Sequence, residues 1–151
     1  MKRRDLIIVP CSSRKNILLN FRSLPARSAY TGQAFVFARD YIEAFEIDWI
    51  ILSAKHGFIW PTTRIAYYDA RMPSGQVPHD VRESIYRMTR SDFTRLMEFG
   101  RYVCLGGADY CNAAEQILRK PIERPLAGLG IGKMLFNLKW AEWDAANHTK
   151  R

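Results

Sequence analysis

A chain of 151 residues, 48% hydrophobic and 13% aromatic, is the size of one domain with enough apolar surface to fill one core. Its charged fraction of 25% is ordinary globular usage, and no internal period marks a repeat array. No stretch approaches the ~20 apolar residues of a membrane span, and the N-terminal run Leu6-Ile7-Ile8-Val9-Pro10 is too short for a signal peptide. The expectation is therefore a soluble cytoplasmic protein with no membrane partner.

Taken in chain order, residues 6–10 form an apolar run ending in Pro10-Cys11-Ser12-Ser13-Arg14-Lys15, which predicts a buried strand entering a loop. Residues 32–45 place Phe35, Ala38, Ile42 and Phe45 at helical spacings. A second apolar strand spans 49–52 and stops at Ser53-Ala54-Lys55-His56-Gly57. Residues 79–99 gather Val81, Ile85, Met88, Phe93 and Leu96 on one helical arc, with Arg87, Arg90 and Arg95 opposite. Glu83 stands four residues before Arg87 as an ion-pair partner, and Ser91 is a candidate N-cap that would divide the stretch. A third strand, 102–105, ends at Gly106-Gly107-Ala108-Asp109-Tyr110, and helices are predicted over 109–119 and 133–146. Strands apolar on both faces, alternating with helices, predict a single α/β domain over 1–151, a small, mostly parallel sheet with helices on both faces.

In such sheets ligands bind beyond the carboxyl ends of the strands, and the unusual residues of this chain collect there. Lys+Arg exceeds Asp+Glu by 23 to 15, a formal charge of +8 that favours a polyanionic partner, most simply nucleic acid. Cys11, Ser12, Ser13, Arg14 and Lys15 can offer donors and charge to an anion, without the spacing of a P-loop. Ser53, Lys55 and His56 set a hydroxyl, an ammonium and an imidazole within four residues, suited to acid–base or amine chemistry; a surface turn closed by Gly57 is the plainer reading. Tyr67-Tyr68-Asp69 offers two rings for stacking and a carboxylate to activate water. Gly106 and Gly107 precede a helix whose N-terminus favours an anion, with Asp109 equally placed as its N-cap. Gly128-Leu129-Gly130-Ile131-Gly132-Lys133 has alternate glycines but not the dinucleotide fingerprint. Three cysteines without CxxC or neighbouring histidines give no metal site, and no cofactor is expected.

The segments Ile8-Val9-Pro10-Cys11-Ser12-Ser13-Arg14-Lys15, Ala29-Tyr30-Thr31-Gly32, Leu52-Ser53-Ala54-Lys55-His56-Gly57-Phe58-Ile59 with Pro61, Tyr68-Asp69 and Pro125-Leu126-Ala127-Gly128-Leu129-Gly130-Ile131-Gly132, in that order, resemble small bacterial and phage proteins distantly similar to the YaaA peroxide-stress family. The resemblance implies a DNA-associated protein and, in some relatives, nucleobase chemistry. The matched positions are Lys15, Tyr30, Thr31, Ser53, Gly57, Tyr68 and Tyr110.

The function expected from these features is N-glycosidic bond hydrolysis of a modified or damaged base in DNA, in preference to RNA. Asp69 would align water at the anomeric carbon, with His56 or Lys55 stabilising the leaving base and Ser53 beside them. An imine at Lys55 would instead give a β-elimination nick. Cys11, Ser12, Ser13, Arg14, Lys15, Tyr30, Thr31, Tyr67, Tyr68, Gly106, Gly107, Tyr110 and Lys133 would bind substrate. The alternatives are a non-catalytic DNA-binding module and an enzyme of a free nucleotide or nucleoside.

Overall fold

Residue alternation along the first strand divides the molecule. In the computed structural model, which describes residues 4–128, β1 (Asp5–Pro10) sends Leu6 and Ile8 to one face and Ile7 and Val9 to the other. Both faces are buried, and full burial of each such side chain stabilises the fold by about 1.5–3 kcal/mol relative to exposure. Further on lie a short strand β2 (Leu24–Pro25) and the helices α1 (Ala26–Ala29) and α2 (Gln33–Ala44). Strands β3 (Trp49–Ser53), β4 (Gly57–Ile59) and β5 (Arg64–Ile65) follow. The chain then forms α3 (His79–Arg82), α4 (Arg90–Met97), β6 (Arg101–Cys104) and α5 (Ala108–Leu118).

The main sheet has the order β4-β3-β1-β6, with β1 parallel to both neighbours and β4 antiparallel at the edge. Ile8 lies opposite Ile50 on one side and Cys104 on the other. Phe35, Ala38 and Ile42 of α2 join Ile7, Val9 and Ile51 on one face. Leu96 of α4 and Cys111, Ala114 and Ile117 of α5 join Leu6, Ile8 and Leu52 on the other. The described residues thus form a single α/β domain with a mostly parallel sheet and helices on both faces.

The hairpin from β3 to β4 makes the sheet mixed, a feature the apolar runs did not announce. The stretch 79–99 is broken as well. Residues Glu83–Arg87 form a 3-10 turn, and Thr89, not Ser91, caps α4, its hydroxyl accepting from the Asp92 amide at 3.1 Å. Val81, Ile85 and Met88 keep four- and three-residue intervals up to this cap, and only the step of five from Met88 to Phe93 marks it. Arg87 donates to the Asp80 carbonyl at 2.7 Å, in place of the expected pair with Glu83. At α5 the N-cap is Gly107, and Asp109 lies in the first turn. Lys133 and the helix expected over 133–146 lie outside the described residues.

Successive parallel strands fall on opposite sides of β1, β3 on one and β6 on the other. The carboxyl end of β1 is therefore a topological switch point, flanked by the loops after β3 and β6.

Candidate functional site at the carboxyl ends of the sheet

The loop after β1 is held by backbone. The Cys11 amide continues the sheet pairing to the Leu52 carbonyl at 3.0 Å. Four residues on, Lys15 bridges to Tyr30 in antiparallel fashion. The Asn16 amide donates to Ala29 at 2.8 Å and the Thr31 amide to Arg14 at 3.0 Å. The Ser12 hydroxyl donates to the Arg14 carbonyl at 2.6 Å and accepts from the Gly32 amide at 3.2 Å. A side chain at position 32 would bring its Cβ to 2.6 Å from that of Ser12, so glycine is required by the close approach. Ser13, Arg14 and Thr31 have exposed side chains. The Lys15 ammonium lies 4.6 Å from the ring centre of Tyr68 and 5.9 Å from that of Tyr67.

The loop after β3 is a hairpin turn organised by one hydroxyl. Ser53 is fully buried, and its Oγ accepts from the amides of Lys55 at 3.1 Å and His56 at 3.0 Å. It donates to the Tyr68 hydroxyl at 2.9 Å, which shares a 2.6 Å bond with the Tyr30 hydroxyl. Burial pushes both phenols well above their usual range, so they remain protonated at neutral pH. Gly57 closes the turn with φ of 72°, and a Cβ there would collide with the Ser84 side chain. The plainer reading of this pentapeptide, a turn closed by glycine, describes its backbone; its side chains do more.

Around Tyr68 stand three basic groups. The Lys55 ammonium is 6.0 Å from its ring centre, and the His56 ring is edge-on at 5.2 Å. Burial, and then the neighbouring Lys55 charge, hold His56 below its ordinary pKa of 6.5, so it is neutral at pH 7. Tyr67 is 54% exposed, whereas Tyr30 and Tyr68 are buried, which leaves Tyr67 as the ring with a face open to a ligand. Asp69 is exposed, with no hydrogen bond or ion pair among the described residues.

The loop after β6 is closed against β1. Gly106 is buried where a Cβ would strike the Pro10 ring, and Gly107 begins α5. The Cys11 thiol and the Tyr110 hydroxyl are 3.3 Å apart, and burial and then Cys11 raise the Tyr110 pKa. The structure thus joins Lys15, Tyr30, Ser53, Lys55, His56 and Tyr68 around one ring, and Cys11 with Tyr110 beside it. Among the described residues no group of three or more His, Cys, Asp or Glu could hold a metal ion. No helix there is long and apolar enough to cross a membrane. The hydroxyl chain links positions 15 and 38 residues apart in sequence, and no local pattern signals it. Nor does one signal the Arg95 guanidinium stacked 3.9 Å over Trp60, on a different part of the surface.

Residues 6–140 match a family of unknown function, DUF6884. The chain belongs to this family. It is also 30% identical over 145 residues to the uncharacterized protein YfjM of Bacillus subtilis (strain 168), covering 89% of this chain and 91% of that one. No solved structure matches the DUF6884 chain described here.

Proposed function

We propose that this protein acts on a base in DNA by hydrolysing its N-glycosidic bond. The observation that carries this reading is the cluster at the switch point, where Lys15, Lys55 and His56 surround a buried hydroxyl chain beside the exposed Tyr67. Two ammonium groups near one ring favour a phosphate between them. An extruded base then has an open ring face at Tyr67 and fixed polar groups at its edge. In the reaction water adds to C1′ and the C1′–N bond breaks with its electron pair leaving on the base. The sugar retains a hydroxyl, and the water's second proton is released. Neutral His56 is suited to accept that proton. The formal charge of +8 and the YaaA-like motifs support the same choice of partner.

Purified protein incubated with modified, oxidised and plain DNA tests this reading, with mass spectrometry of released bases. A released base is expected, and His56→Ala is expected to slow its release by about 100-fold or more. Full activity in that variant would remove His56 from the chemistry. The exposure of Asp69, with no partner to orient its carboxylate, favours a second reading in which the cluster binds DNA without cleaving it. That reading predicts salt-dependent binding and no product at any incubation time. The first reading keeps Asp69 to align the attacking water while His56 takes its proton, so Asp69→Asn should slow base release under the first and leave binding unchanged under the second.

A further inference from the structure

Three hydroxyls in a buried row supply three protons, and the row itself uses only two. Both lone pairs of Ser53 Oγ are occupied by the Lys55 and His56 amides, so its proton must go to Tyr68. A second proton makes the bond between Tyr68 and Tyr30. The third has no acceptor among the described residues, although Tyr30 is 1% exposed and Tyr68 4%. A buried donor left without a partner is costly.

The surroundings indicate which phenol carries it. Both phenols belong to the apolar cluster under α2, where the Tyr30 ring packs 5.0 Å from Phe35 and, among the described residues, has no charged neighbour of its own against it. The Tyr68 ring is ringed by Lys15, Lys55 and His56 of the loops. All three are weak candidates to accept, two being cations and the imidazole making no hydrogen bond to the phenol. With Ser53 and Tyr30 both donating to its two lone pairs, Tyr68 has its own proton left for a ligand.

We infer that Tyr68 is a specificity-determining residue that donates a hydrogen bond to a carbonyl oxygen of the ligand, so that the site takes an oxo-bearing base and rejects the amino-bearing counterpart. An amino group at that point would set donor against donor and leave both unpaired. The inference rests on the nucleobase reading above and names its substrate class. Ser53 and Tyr30 are positioning residues, acting through the oxygen of Tyr68.

The test uses the full chain and matched single-stranded oligonucleotides, in which unpairing costs nothing. One pair carries uracil or cytosine at a single position, the other hypoxanthine or adenine, and both binding and base release are followed. At least about tenfold preference for the oxo member of each pair is expected. Tyr68→Phe should abolish the preference, while Tyr30→Phe, which leaves the Tyr68 proton in place, should retain part of it. Thermal unfolding of each variant establishes that the comparison is made on folded protein. Should Tyr68→Phe fail to fold, the preference of the wild-type chain and of Tyr30→Phe still decides. Equal treatment of oxo and amino bases by the wild type overturns the inference even if bases are released. A preference lost equally in Tyr30→Phe overturns the assignment to Tyr68. Oxo-selective binding with no base released supports the inference while removing the glycosidic reaction.

Discussion

The two flanks of the β1 carboxyl end are built from similar material and differ in what they leave open. On the β3 side the polar side chains of Ser53, Tyr68 and Tyr30 are joined in a row beneath three basic groups. On the β6 side the paired glycines let Pro10 pack down on Gly106, and the Cys11 thiol and Tyr110 hydroxyl face each other at 3.3 Å. A Gly-Gly dipeptide before a helix is compatible with close approach by a phosphate. Here the close approach is made by the protein's own proline. On the proposed reading, ligand chemistry belongs to the β3 flank and packing to the β6 flank.

Substituting the glycines tests the contrast most severely. Gly57→Ala meets both a left-handed backbone and the Ser84 side chain, and is expected to destabilise by about 3 kcal/mol. Because the turn carries Lys55 and His56, ligand binding should fall as well. Gly106→Ala should cost about 2 kcal/mol from the clash with Pro10, with DNA affinity of the folded fraction unchanged. Urea midpoints paired with binding isotherms report both. Affinity lost in Gly106→Ala at full folding would place the β6 flank in the interface.

Charge removal gives a smaller effect and a sharper distinction. Lys15→Ala and Lys55→Ala should each lower the slope of log affinity against log salt by about 0.9 for a duplex phosphate contact. Tyr110→Phe, on the other flank, should leave the slope where it was. Fluorescence anisotropy at several salt concentrations measures all three, and an unchanged slope in both lysine variants would take the phosphates elsewhere.

The smallest effect is a pH dependence of stability. The folded state holds His56 below 6.5, so the unfolded chain binds its proton first as pH falls. The associated stability is full above 6.5 and lost progressively toward the lower folded value. Denaturation midpoints measured across that window should decline less in His56→Ala than in the wild type.

Much of the fold was legible in the sequence because the three parallel strands are covered on both faces and therefore read as unbroken apolar runs. The edge strand β4 was not, since Gly57-Phe58-Ile59 is short and hidden behind its own turn. Thr89 was missed as a cap because Val81, Ile85 and Met88 keep helical spacing up to it. The importance of the strand-end loops could be anticipated from topology. Their connection could not, because the contact of Ser53 with Tyr68 and Tyr30 is made by folding and leaves no periodic trace. Sequence spacing likewise said nothing about Asp69, whose neighbour Tyr68 turns inward while it faces solvent.

The antiparallel link between Lys15 and Tyr30, with its flanking amides of Asn16 and Thr31, ties a surface cation to the most deeply buried phenol of the row. The two cannot be loosened separately. The amide protons of Asn16 and Thr31 should therefore exchange with solvent on one common clock, slower than those of the exposed loop tip at Gly75. A ligand that engages Lys15 meets a backbone already fixed, and little ordering entropy then opposes its binding.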